Sequence, residues 1–159
     1  VKLVSWWVLD SGFKRFKKEQ SMEVIIQLMI ALVAIGLATT SHFLSLRALK
    51  NYVVSSDLSA YLKLIAVVYG ITFSQLIAAF WFAVGFLLSI EIGLGDLQGS
   101  SSLYFIEIYY FSLINLTTLG LAQLEPIGHL NFLSGLEAMT GFLLVSCSAS
   151  LIFKTMNQS

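Results

Sequence analysis

Six consecutive residues, Thr117-Thr118-Leu119-Gly120-Leu121-Ala122, interrupt the chain with a short polar turn where it is otherwise apolar. The chemistry such a turn can do is that of main-chain oxygen. Its carbonyls, joined by the Thr118 hydroxyl, can substitute for the water around a cation. Gly120 accepts a left-handed backbone without steric cost. At membrane depth, irregular backbone survives only where protein buries it or water lines it. One copy of residues 117–123 cannot bury itself, whereas a ring of four copies around an axis would turn the carbonyls toward a shared path.

The rest of the chain must place such a turn. Of 159 residues, 57 % are hydrophobic and 11 % charged, against about a quarter charged in soluble domains. The mean hydropathy of +0.85 predicts several membrane spans. Residues 24–46 carry no charge and as a helix cover about 35 Å, enough for a hydrocarbon core of about 30 Å. Residues 64–90 form a second charge-free stretch, with Phe80, Trp81, Phe82 and Phe86 in its later half. Ser55, Ser56 and Asp57 offer an N-cap for that helix. Gly93, Gly95, Gly99 and the serines at 100–102 then predict a flexible loop. Residues 104–116 make a helix of roughly 20 Å, too short to span and suited to a re-entrant helix. Pro126 closes the turn, and residues 127–153 form the last span. Its many small residues favour close helix approach, because lipid supplies no hydrophobic drive for helix association. Ahead of all this, residues 1–20 mix Trp6, Trp7, Phe13 and Phe16 with Lys14, Arg15, Lys17 and Lys18, the pattern of an amphipathic interfacial helix.

The stretch Tyr110-Phe111-Ser112, Leu116-Thr117-Thr118-Leu119-Gly120, Pro126 and Leu136-Glu137-Ala138-Met139-Thr140-Gly141 resembles the pore module of small bacterial potassium channels, the tetrameric two-helix channel superfamily. The resemblance covers roughly residues 64–154, with residues 24–46 as an added peripheral helix. It implies a selectivity filter at Thr117, Thr118, Leu119, Gly120, Leu121 and Ala122, with a monovalent cation held by the carbonyls of Thr118, Leu119, Gly120 and Leu121. It also implies an aromatic cuff at Tyr110 and Phe111, an outer mouth at Gln123 and Glu125, and an inner-helix hinge at Gly141. Counting helical phase from Gly141 places Phe142, Val145, Ala149 and Phe153 along the inner cavity. The filter departs from the family's Thr-Val-Gly-Tyr-Gly-Asp at adjacent places: Leu119 stands for Val, Leu121 for Tyr, Ala122 for the second Gly and Gln123 for Asp. If Ala122 is left-handed, the cost is roughly 1–2 kcal/mol in each subunit.

Other chemistry-bearing residues are sparse. Glu137 falls inside the last span, where a charged carboxylate costs at least ~2.5 kcal/mol. It should be protonated, paired or turned to a polar interior, serving in pH-dependent gating or support of the turn, or standing as a neutral acid bonded to a neighbouring helix. His42 and His129 lack metal-ligand spacing with each other or with Cys147, which reads as a small buried hydrophobe. Glu91, Asp96 and Glu125 are expected at the mouth side, where they would raise local cation concentration or serve as solvated loop carboxylates. No phosphate loop, nucleophile elbow or zinc motif appears, which argues against an enzyme. No basic surface for nucleic acid is visible.

These observations predict an all-α integral membrane protein with three transmembrane helices, a re-entrant pore helix and a filter loop, assembled as a homotetramer. Its parts are an interfacial segment (1–20), a peripheral helix and connector (21–60) and a pore module (61–159). The expected function is passive conduction of K⁺ or another monovalent cation, with the permeant cations, the lipid bilayer and identical subunits as partners and no cofactor. The alternative is a non-conducting scaffold or regulatory subunit that retains the pore fold. The resemblance implies a multi-pass protein of the bacterial inner membrane. A cytoplasmic connector at residues 51–60 satisfies the positive-inside rule through Arg47, Lys50 and Lys63, while three spans put the basic residues 14–18 on the opposite side, against it.

Overall fold

The computed structural model describes residues 2–99, 104–120 and 123–156, with side chains from residue 20 onward. In chain order the elements are α1 (Lys2–Ser55), α2 (Ala60–Glu91), β1 (Gly95–Gln98), α3 (Phe105–Leu116), β2 (Glu125–Gly128) and α4 (Leu130–Met156). The protein is mostly helical. Gln20–Ser55, Ala60–Glu91 and Leu130–Met156 are each long and apolar enough to cross a membrane.

α1 runs without interruption past residue 20, the expected boundary between an interfacial segment and a span. It also runs further forward than expected, which shrinks the connector to residues 56–59. The serines expected to cap α2 instead finish α1. Ser55 Oγ donates to the Asn51 carbonyl (2.9 Å) and Ser56 Oγ to that of Val53 (3.3 Å). Hydroxyls that can reach back to the preceding turn satisfy carbonyls the helix end leaves open.

Two pairs of side chains set how the long helices lie. His129 Nε2 stands 3.3 Å from Glu23 Oε2 at one end, and His42 Nε2 stands 3.1 Å from Ser148 Oγ further along. Both pairs are 106 residues apart in sequence. A constant offset means α1 and α4 run parallel, with α2 antiparallel between them. The start of the α1 span therefore lies at the same end as the start of α4.

The α1–α2 contact is a seam of small residues. Ala31, Ala34 and Ala38 are buried on α1, and Ala78, Ala79, Ala83 and Gly85 on α2. A Cβ at Gly85 would meet Ala34 at 3.7 Å, ordinary contact distance. Small side chains let the backbones approach until dispersion does the work that the hydrophobic effect cannot do in lipid. Larger side chains fill the centre, where Phe82 and Phe86 are fully buried.

The glycine-rich segment after α2 is not the flexible loop its composition predicts. Gly95–Gln98 pairs antiparallel with Glu125–Gly128, Gly95 opposite Gly128 and Gln98 opposite Glu125. The glycines serve close approach: a side chain on Gly95 would strike the Ile127 carbonyl, and one on Gly99 the Gln123 carbonyl. Pro126 is tolerated because a two-stranded ribbon has only edge strands. The His129 N–H donates to the Leu94 carbonyl at 3.0 Å and leads straight into α4. The last span accordingly starts at Leu130 rather than at residue 127.

Candidate functional site

α3 has 12 residues, about 18 Å of helix, and cannot cross a bilayer alone. Glu107 in its first turn accepts the Tyr104 N–H at 3.2 Å and places negative charge at the positive pole of the helix dipole. From there one face is tied inward. Phe111 packs edge-on to Phe86 with ring centroids 5.2 Å apart. Tyr109 Oη donates to the Leu76 carbonyl at 3.0 Å, and Ser112 Oγ to the Ala79 carbonyl at 2.8 Å, both on α2.

The opposite tie is to Glu137, which is fully buried on α4. Asn115 Nδ2 donates to Glu137 Oε2 at 2.6 Å and to the Ser134 carbonyl at 2.9 Å. Ser112 Oγ is also bonded to Glu137 Oε1. One hydroxyl proton cannot serve both Ala79 and Glu137. A carboxyl that carries its own proton closes the chain, with Glu137 donating to Ser112 and Ser112 donating to Ala79. In this geometry the acid is hydrogen-bonded to a neighbouring helix, the one that leads into the turn. Among the described residues its bonded partners are Ser112 and Asn115, neither of them a cation.

Ser112 and Asn115 are the functional residues that sequence reasoning passed over. Their signal was present: two polar residues three apart share one helix face, on a half-helix whose later half, from Phe111 to Leu116, is otherwise apolar. The lone acid of the last span is their natural partner.

α4 passes α3 at Gly141. A Cβ there would overlap the backbone carbonyl of Leu116, the last residue of α3. Gly141 lies within an unbroken helix, and its observed contribution is this close approach.

Beyond Leu116 the chain leaves the helix. The Thr118 N–H bonds the Asn115 carbonyl at 2.9 Å and the Leu119 N–H bonds that of Ile114 at 3.3 Å. This is a Schellman closure, in which the residue after the cap is left-handed. That residue is Thr118, at φ 58°, and Gly120 follows at φ 64°. A β-branched residue at positive φ is a true outlier, and such strain gathers at functional positions. Thr117, Thr118, Leu119 and Gly120 are all exposed. Leu121 and Ala122 lie outside the described residues, so the expected filter is seen in its first four positions.

The remaining predicted residues fall into separate groups. Tyr110 and Phe111 diverge: Phe111 is committed to the core, while Tyr110 is 60 % exposed. Both line a recess of about 440 Å³ with Gln123 and Leu124. Val145 and Ala149 line another, of about 490 Å³, with Thr117, Leu119 and Gln75. Phe142 and Phe153 are exposed on α4. Glu91, Asp96 and Glu125 gather at the hairpin end, the last two on the paired strands.

His42 is not the isolated residue its sequence position suggests. Ser74 on α2 lies 2.6 Å from its Nδ1, and Ser148 on α4 lies 3.1 Å from its Nε2. Ser148 Oγ donates to the Leu144 carbonyl at 2.8 Å. With the Ser148 proton spent on Leu144, the ring donates from Nε2 to Ser148, and as the neutral Nε2–H tautomer it accepts from Ser74 at Nδ1. Cys147, expected to be buried, is exposed, because α4 turns Leu144 and Ser148 inward and Cys147 away. Compared with known proteins, the chain matches no family model, no curated protein and no solved structure.

Proposed function

We propose that this chain is the subunit of a homotetrameric cation channel of the potassium-channel type, conducting K⁺ or another monovalent cation passively through the turn at residues 117–122. One observation carries the reading. A helix too short to span is held between two long apolar helices by buried hydrogen bonds, and its C-terminal end opens into an exposed Thr/Gly turn with two left-handed residues. In this reading α3 is re-entrant, its C-terminal dipole faces the axis, and carbonyls of four turns replace the cation's hydration.

The outward face of α4 supports assembly. Gly135, Met139, Phe142, Ser146, Ala149 and Phe153 recur at helical spacing and are all exposed in the single chain. Small residues interspersed with Phe and Met provide a surface on which identical helices can pack, and Phe142, Ala149 and Phe153 would border the cavity. The bilayer housing this multi-pass assembly would be the bacterial inner membrane, on the strength of the filter resemblance.

The test is flux from liposomes holding the purified protein. K⁺ efflux should exceed the empty-liposome rate at least tenfold, and the mass in detergent should be that of four chains. Restoring Tyr at Leu121 and Gly at Ala122 should raise the preference for K⁺ over Na⁺. A monomeric or dimeric mass, or liposomes as tight as empty ones, would overturn the proposal. A tetramer that does not conduct would leave the non-conducting scaffold as the correct reading.

A further inference from the structure

At the end of the bundle opposite the hairpin, α1 and α4 part to leave a recess of about 480 Å³. Because the two helices run parallel, each contributes a stripe in the same sense. On α1 the stripe is Phe43, Arg47 and Lys50; on α4 it is Cys147, Leu151 and Lys154. Both follow the spacing that keeps side chains on one helix face. In both, the apolar residue lies toward the middle of the span and the cation at its end. Only four described side chains are Lys or Arg, and three of them line this recess; the fourth, Lys63, does not. Among the described residues no carboxylate lines it, and none forms an ion pair with these cations.

We infer that this recess is a binding site for an anionic phospholipid, the headgroup phosphate held by Arg47, Lys50 and Lys154 and an acyl chain lying against Phe43 and Leu151. Depth supports the lipid over a free phosphate. From Glu23 to Arg47 the helix rises about 36 Å, so the cations stand just beyond a hydrocarbon core of about 30 Å. Basic pockets between membrane helices at that level suit phosphate headgroups, and Arg can grip a phosphate bidentately. The graded wall also matches an amphiphile, apolar where a tail lies and cationic where a phosphate lies. A free phosphate would have no use for Phe43 and Leu151. Much of the site belongs to α1, so it stands whether or not the chain conducts.

Native mass spectrometry of the full chain in detergent, titrated with dioleoyl phosphatidylglycerol or dioleoyl phosphatidylcholine, tests it. Wild type should retain phosphatidylglycerol at least tenfold better than phosphatidylcholine, and the triple variant Arg47→Gln, Lys50→Gln, Lys154→Gln should lose that preference. Lys63→Gln should keep it. Cys147 supplies a second readout that needs no variant, since it is the single cysteine and lines the recess. Phosphatidylglycerol should slow its alkylation by N-ethylmaleimide severalfold in wild type. Equal retention of the two lipids, or a preference lost equally in Lys63→Gln, would overturn the site. So would alkylation that phosphatidylglycerol leaves unchanged. Displacement of the lipid by millimolar inorganic phosphate would overturn its assignment as a lipid site.

Discussion

Two buried polar clusters interrupt the apolar interior, and they do different work. His42, Ser74 and Ser148 join α1, α2 and α4, three helices that satisfy their own backbones and could each stand in a bilayer. Glu137, Ser112 and Asn115, with the Ala79 carbonyl, hold α3, which cannot. In the first cluster hydrogen bonds choose how long helices pack. In the second they help to position an element too short to span, immediately before the strained turn. Loss of the first should loosen the bundle. Loss of the second should displace the turn.

The largest effect is expected where α3 touches α4 by backbone alone. Gly141→Ala puts a methyl into the Leu116 carbonyl, which side-chain adjustment cannot relieve. Overpacking of this kind costs about 3 kcal/mol, and the variant should show a sharply lower melting temperature and no flux. A variant as stable as wild type would mean that α3 is not anchored there.

Glu137→Ala comes next. It removes one partner each from Asn115 and Ser112, which keep their bonds to the Ser134 and Ala79 carbonyls, so the loss should total about 1–3 kcal/mol. Glu137→Gln separates the two accounts of the carboxyl. Its amide can donate toward Ser112 and accept from Asn115, as the protonated acid does, so most of the stability should return. If Gln melts as low as Ala, the carboxyl is not the neutral donor described above.

His42→Ala should cost about 1–3 kcal/mol through the unpaired Ser74 hydroxyl, because Ser148 keeps its bond to Leu144. The contrast lies in flux measured on the folded fraction: His42→Ala should retain it, whereas Glu137→Ala should not. Equal loss in both would erase the distinction between the clusters.

Thr118→Gly should raise stability by about 1 kcal/mol or less, since glycine relieves left-handed strain and gives back part of that gain in backbone entropy. If the hydroxyl helps to hold a cation, selectivity should fall while the melting temperature holds. Glu23→Gln is the smallest change. Its pair with His129 is half exposed, and such pairs contribute within about 1 kcal/mol; calorimetry should find almost no shift.

The long helices were legible because a helix able to cross a membrane needs a long apolar run, which residues 24–46 and 64–90 carry openly; the short helix was legible from the breaks on either side of residues 104–116. The partner of Glu137 could be reached only in part. A lone acid in a span announces that it needs a donor, but Ser112 and Asn115 share a face with it only once α3 is folded back. The β1–β2 pairing escaped because four-residue strands rich in Gly and Pro lack the alternation that identifies a strand.

Composition and the length of charge-free runs by themselves decided that this chain has helices able to cross a membrane, roughly where they lie, and that residues 117–120 lie beyond the end of a helix. Local length and hydropathy suffice for that, because each helix satisfies its own backbone. Tertiary structure alone decided that α1 runs parallel to α4, that His42 bridges three helices and that Gly141 seats Leu116. It also decided that Arg47, Lys50 and Lys154 meet in one recess. These facts join residues as far apart in sequence as Arg47 and Lys154, and contacts at that distance depend on how helices pack, which no local pattern records.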